Sequence, residues 1–260
     1  MKRSITINPD YAADGALRAW LETLPEHFER EGEVVYSGRN TLKAFALTEG
    51  RTVPLRVVVK RFARLSALQR VGYWLRTSKA RKAFDHAAEL RRRGFDTPTE
   101  VACYERRAWG TPVESYLVTM ECLLPDMGSL LDTERATDAA AQFATYAARL
   151  HDAGILHHDL NRGNILCRTK ADGTLGFALI DLNRMTFVRP GMVSRRQRYL
   201  NISRLTADAD THAAMLRAYA AYEKWNPLEV YSEGFHVKYK HEVAYYRNRR
   251  IRRRLFGRRR

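Results

Sequence analysis

The stretch "ILHHDLNRGNIL", residues 155–166, sets two histidines, an aspartate, two asparagines and an arginine in a frame of isoleucines and leucines. Apolar residues on both sides tie such a segment to a core, so the polar groups between them form a tight loop at a buried surface. A surface turn between two strands is one way to meet that demand. A loop that presents chemistry is the other, and the rest of the chain decides between them.

The surrounding pattern divides the chain. Leu17, Trp20, Leu21 and Leu24 recur at helical spacing before Pro25, which predicts a helix over Tyr11 to Leu24 in an N-terminal extension, 1–29. "EVVYSGRN", "LKAFALTEG" and "PLRVVVKRF" read as three antiparallel strands separated at Gly38, Asn40 and Gly50. A helix follows in "TSKARKAFDHAAELRRRGFDTP", capped by Thr77 or Ser78 and ended at Gly94. Two more strands, turning near Gly110, complete a five-stranded, β-rich lobe over 30–122. Beyond Pro125 the pattern is helical: an alanine-rich helix capped by Asp132 or Thr133 and closed by Gly154, a hairpin around Asp172-Gly173, then further helices. That predicts a larger helical lobe over 123–260 with a cleft between the lobes. With 45% of 260 residues hydrophobic, there is enough apolar surface for both cores.

The polar loop supplies Asp159 and, five residues later, Asn164, while Asp181 ends the apolar strand "FALID". Two oxygen ligands on neighbouring loops suit a hard cation such as magnesium that also holds phosphate oxygens, and Asp159 is left for an acceptor hydroxyl. Lys60 lies among valines in "VVVKR", where an ammonium needs an acid or a phosphate beside it. Asp85 and Glu89, four apart on the predicted helix, share a face, and spacing does not choose between them.

This order of features, a strand lysine, a helix acid, H-x-D-x-x-x-x-N and a strand ending in Asp, resembles the protein-kinase-like fold, an α+β bilobal architecture. "GRN", "VVVKRF", "SKARKAFDHAAELRRRGFDTP", "SYLV", "LHDAGILHHDLNRGNIL" and "IDLNRM" together look like the lipopolysaccharide kinase family of Kdo and heptose kinases, over about residues 35 to 205. The resemblance implies ATP- and Mg2+-dependent phosphorylation of a sugar hydroxyl, that of Kdo foremost, in the lipopolysaccharide inner core of a Gram-negative bacterium. It implies Asp159 as the residue that orients the acceptor hydroxyl and takes its proton, Asn164 and Asp181 as the metal pair, and Lys60 on the α and β phosphates. It favours Asp85 over Glu89 as the helix acid, and gives His157 an ordering role. The turn "YSGRNTL" has one glycine where protein kinases have three, so Gly38, Arg39 and Asn40 are expected to grip the nucleotide in their own way. Asp181-Leu182-Asn183 stands in place of D-F-G, and His158 in place of the usual arginine, so regulation by phosphorylation is not expected. Arg162 is expected to offset charge on the transferring phosphoryl group or to hold an anionic acceptor.

The formal net charge of +16 implies attraction to polyanions, and nine arginines lie between Arg247 and Arg260, interleaved with Ile251, Leu255 and Phe256. The resemblance makes a lipid A-linked sugar the acceptor, and the Arg247–Arg260 tail an anchor on the anionic inner-membrane surface. No apolar run is long enough to span a membrane and no secretory signal opens the chain, which predicts a cytoplasmic, peripheral protein. No specific nucleic-acid partner is expected, since no DNA- or RNA-reading motif accompanies the charge. Cys103, Cys122 and Cys167 have no metal or redox spacing and read as reduced thiols, while His86, His212, His236 and His241 read as surface residues. Trp20, Trp74, Trp109 and Trp225 read as core or lobe contacts. A kinase for a protein or small-molecule hydroxyl, or a silent pseudokinase bound to membrane or nucleic acid, are the other readings of the same residues.

Overall fold

The computed structural model describes residues 2–63, 77–206 and 208–256. Trp74, much of the basic run after Lys60 and the last four residues lie outside the described ones, as do the side chains of Arg252, Leu255 and Phe256. The chain forms two compact units, Met1–Leu123 with Ile180–Arg184, and Leu124–Leu179 with Met185–Arg260.

The first unit contains β1 (Lys2–Ile7), α1 (Gly15–Glu22), α2 (Leu24–Arg30), β2 (Glu33–Ser37), β3 (Thr41–Leu47), β4 (Leu55–Arg61), α3 (Lys79–Arg92), β5 (Glu100–Ala108) and β6 (Thr111–Met120). The strands make one antiparallel sheet in the order β1-β5-β6-β4-β3-β2. It has six strands where the sequence pattern predicts five. "KRSITI" pairs with β5 from Lys2 opposite Arg107 to Ile7 opposite Ala102, and Ile5 and Ile7 pack on the core. Residues 1–29 therefore belong to the first unit and are not a helical extension. Pro25 does not end helical structure either; it sits in the first turn of α2, where its missing N–H is no loss.

The period of two along each strand sorts the side chains. Val57, Val59, Ala102, Tyr104, Tyr116 and Val118 meet Leu17, Leu21, Leu24 and Phe28 of α1 and α2. Each such fully buried leucine or phenylalanine contributes about 1.5–3 kcal/mol. The alternate residues Cys103 and Leu117, with Phe62, meet Ala80, Ala83 and Phe84 of α3. Lys60 has the parity of Phe62, and its ammonium lies 5.2 Å from that ring's centre. Ser78 begins α3 by accepting a hydrogen bond from the Arg81 N–H at 3.0 Å. Among the described tryptophans Trp109 is the exception: at the tip of the β5–β6 hairpin, with φ of 52° beside Gly110 at 77°, it is 95% exposed. Two successive positive φ values make the tight turn that hairpins of this length use, and they leave its first residue in solvent.

The second unit contains α4 (Gly128–Leu131), α5 (Ala136–Asp152), β7 (Ile155–His157), β8 (Ile165–Thr169), β9 (Leu175–Leu179), β10 (Met185–Phe187), α6 (Arg195–Ile202), α7 (Ala209–Glu223) and α8 (Pro227–Phe256). β8 and β9 form a hairpin, and β7 pairs with β10. Ala139, Ala140, Ala144, Ala147 and Ala148 of α5, with its Phe143 and Leu150, are fully buried, and α5 packs on α7. α5 begins at Ala136 without a side-chain cap; Thr133 instead accepts from the Arg135 N–H at 3.2 Å, ordering the turn before it. His212, read from sequence as a surface residue, is fully buried on α7 with its ring edge-on to Phe235.

Gly154 closes α5 with φ of 76°, and a Cβ there would run into the Val188 carbonyl oxygen. Its own carbonyl accepts from the Val188 N–H at 2.8 Å, so the glycine joins the helix end to the β7–β10 pair. Gly154→Ala is expected to lower stability by about 3 kcal/mol, read by urea denaturation, because the strained φ and the backbone clash add.

Candidate active site

Lys60 stands next to the C-terminal end of β4, opposite Leu42 and Leu117, with 17% of its side chain exposed. Its ammonium donates to Asp181 Oδ1 at 2.6 Å, so the partner that its apolar setting demands comes from the segment Ile180–Arg184. Asn183 Nδ2 donates to the same oxygen at 2.6 Å. The His86 ring bonds the Leu182 carbonyl at 2.7 Å, tying α3 to that segment; His86 is thus a contact residue of the site and not a bystander on the surface.

Neither acid of α3 reaches Lys60. The buried stripe of α3 is Ala80, Ala83, Phe84, Ala87 and Leu90, and Asp85 pairs with Arg81 one turn back at 2.9 Å. Glu89 is held by Arg92 at 2.6 Å and Arg93 at 2.7 Å, and the bond to Arg92 above all holds its pKa down to about 2. Asp85 is therefore corrected as the partner of Lys60. What the sequence does not single out is Lys79, the first residue of α3. It is half-buried, and burial, then the charges of Arg39 and Arg184, lower its pKa, with Asp181 opposing and Lys60 adding to the repulsion. Arg39, Lys60, Lys79 and Arg184 thus share an electrostatic neighbourhood with one carboxylate, a balance suited to a polyanion. Of the β2–β3 turn, Gly38 closes a tight bend onto the Asn40 carbonyl, while Asn40 Oδ1 accepts from the Ala63 N–H at 3.1 Å, a structural role.

The loop after β7 is built by its own backbone. His157 is buried, and its Nδ1 accepts from the Asp159 N–H at 3.1 Å, which leaves the ring proton on Nε2. The Asp159 carbonyl accepts from Asn161 N at 2.9 Å, Asn161 Nδ2 at 3.1 Å and Asn164 Nδ2 at 2.8 Å. Asp159 and Asn164 are thereby fixed in one turn, both half-buried. Behind it, Asn201 of α6 donates to the His157 carbonyl at 2.7 Å and accepts at 3.0 Å from the buried His151, whose other nitrogen bonds Tyr219. Arg162 is tied to Asp132 and, at 2.8 Å, to the Gly128 carbonyl; the Asp132 bond raises its pKa. In this structure the guanidinium clamps α4 to the loop, an arrangement that local spacing could not reveal.

Asn164 belongs to the second unit and Asp181 to the first. Asp181 also has a positive φ, 59°, which an aspartate tolerates better than most residues. The sequence matches the model of the lipopolysaccharide kinase (Kdo/WaaP) family over residues 58–222, a span that holds Lys60, Asp159, Asn164 and Asp181. The chain belongs to this family. As a Kdo/WaaP-family member it is a kinase, a phosphotransferase of lipopolysaccharide biosynthesis. Among solved structures, WaaP in complex with acyl carrier protein is similar with a TM-score of 0.61 at 18% identity, over 94% of this chain and 98% of that one. The Rio2 kinase of Chaetomium thermophilum, in an ADP/Mg2+-phosphoaspartate complex, is similar with a TM-score of 0.50 at 16% identity, over 85% of this chain and 75% of that one. Both likenesses concern the fold: α+β and kinase-like, with an N-terminal antiparallel sheet and a helical C-terminal part. No curated protein matches the sequence.

Lys79→Met is expected to raise the KM for nucleotide about tenfold with a smaller change in kcat, since one cation of several would be lost from phosphate binding. Steady-state kinetics against nucleotide concentration checks this.

Proposed function

We propose that this Kdo/WaaP-family kinase uses ATP and Mg2+ to phosphorylate a hydroxyl of Kdo in the lipopolysaccharide inner core. The observation that carries the reading is the family match over residues 58–222, which includes each of the four residues that the chemistry needs. The residue types suit the metal: in the second unit Asn164 uses its Nδ2 on the Asp159 carbonyl and has Oδ1 to offer, and in the first Asp181 takes Lys60 and Asn183 on Oδ1 and has Oδ2 to offer, both hard oxygen donors. Two protein oxygens, completed by phosphate and water, are what Mg2+ commonly accepts. Bound Mg2+ would neutralise phosphate charge, and ATP would supply the phosphoryl group.

On this reading Lys60, with Arg39 and Lys79 nearby, holds the phosphates, and Gly38 lets the β2–β3 turn approach them. Asp159 orients the sugar hydroxyl and takes its proton as the new O–P bond forms. Arg162 would meet an anionic acceptor only by leaving Asp132. The test is incubation with Mg-ATP and Kdo-lipid A: one added phosphate by mass spectrometry supports the reading, and an unchanged mass with a competent control kinase refutes it.

We place the enzyme on the cytoplasmic face of the inner membrane, held at the anionic surface by its C-terminal arginines. No helix among the described residues is long and apolar enough to cross a membrane. α8 exposes Tyr239, Val243, Tyr245, Tyr246 and Ile251 along the same helix as the arginines from Arg247 onward. Near an anionic leaflet each arginine contributes about 1 kcal/mol. Removing residues 247–260 is expected to abolish sedimentation with anionic vesicles at low salt, and unchanged sedimentation would refute the anchor.

A further inference from the structure

A cavity of about 590 Å³ lies in the second unit between α6 and α8, lined among others by Arg196, Tyr199, Leu200, His236, Val237 and Lys240. That is the size of a small-ligand site. Its lining contains one acid, Glu233, with Arg195 at 4.0 Å from it; Arg195 also pairs with Glu229 at 3.3 Å and stacks 4.2 Å above the Trp225 ring. Arg196 and Lys240 are exposed and have no ion-pair partner among the described residues, so the cavity carries excess positive charge. Tyr199 is 1% exposed, and among the described residues its hydroxyl has no partner at hydrogen-bonding distance, while burial and then the charge of Glu233 in the same lining raise its pKa. A buried hydroxyl left so is costly unless a ligand answers it. Leu200 and Val237 supply an apolar wall beside these polar groups.

We propose that this groove binds the phosphate-bearing headgroup of an anionic lipid. The phosphate answers Arg196, Lys240 and the Tyr199 hydroxyl, and the glycerol and first acyl carbons cover Leu200 and Val237. Free phosphate would leave the apolar wall in water, and a zwitterionic headgroup would bring a second cation to a basic site. The lining residues of α8 lead directly, on the same helix, into its exposed tyrosines and arginines, the composition of a helix that lies in a membrane interface. The site is a specific pocket, separate from the general attraction of the arginine tail and from phosphoryl transfer.

The test titrates dihexanoyl phosphatidic acid, dihexanoyl phosphatidylcholine and inorganic phosphate into the full chain by calorimetry, near physiological ionic strength, where tail charges are screened beyond about 8 Å. Phosphatidic acid is expected to bind about tenfold tighter than either of the others. Arg196→Ala with Lys240→Ala is expected to weaken it about tenfold, and Tyr199→Phe, which keeps the ring packing, about threefold. Both variants replace groups that the core does not need, and circular dichroism checks their folding. Unchanged affinity in the double variant, or inorganic phosphate bound as tightly as the lipid, would overturn the proposal.

Discussion

Asp159→Asn is expected to lower turnover on Kdo-lipid A by about 10³-fold while the unfolding temperature stays where it is. Much of the loop's shape is set by its backbone. The Asp159 N–H donates to His157, and its carbonyl collects the bonds from Asn161 and Asn164, while Asn161 Nδ2 also reaches the side chain at 3.3 Å. An amide of the same size leaves that frame in place and removes the carboxylate proposed to take the hydroxyl proton. The KM for nucleotide is expected to hold, because Lys60 and Asp181 belong to the other unit. Phosphate incorporation followed by mass spectrometry, with a thermal melt alongside, decides it. Wild-type turnover in the variant would remove Asp159 from the mechanism.

The second large effect is expected at Asp181. Asp181→Asn keeps a residue that accepts the positive φ of 59°, yet loses the charge that pairs with Lys60 and that the proposed metal would use. Turnover is expected to fall about 10³-fold and the Mg2+ concentration for half-maximal rate to rise. The pair is partly buried, with side chains 17% and 27% exposed, so losing one partner is expected to lower stability by about 1–2 kcal/mol. Asp181→Ala is expected to match the asparagine variant in turnover but to be about 1 kcal/mol less stable, since alanine resists the left-handed backbone. Magnesium titrations of the rate and urea melts of both variants separate the chemical from the conformational loss.

Much of the architecture could be read from periodicity. Alternation marks β2 to β6, Ser78 and Gly94 bracket α3, and the alanines of α5 announce a buried helix. β1 escaped because six residues, four of them polar or basic, carry little signal, and their pairing with β5 spans about a hundred residues. For the site, spacing singled out Lys60, Asp159, Asn164 and Asp181 as candidates, of which the structure pairs Lys60 with Asp181 and Asp159 with Asn164, but it could not tell which face of α3 turns inward. That face is set by Ala83, Phe84 and Ala87, leaving Asp85 and Glu89 to the arginines one turn away on the same helix. Arg162 shows the same limit: Asp132, its partner, is 30 residues distant in sequence. The long α8 was hidden by its charge, because arginines all round a helix give no apolar stripe to read.

The depressed pKa of Lys79 has a chemical consequence beyond phosphate binding. An amine that gives up its proton more readily is the better nucleophile, so Lys79 is the lysine of this cluster that amine-acylating reagents would select. Cysteine-directed electrophiles have no such target on this face of the sheet: burial, and the Glu105 carboxylate after it, push the Cys103 thiol far above its usual range. A covalent probe aimed at this cluster would therefore be built on lysine chemistry, with buried Cys103 no competitor for it.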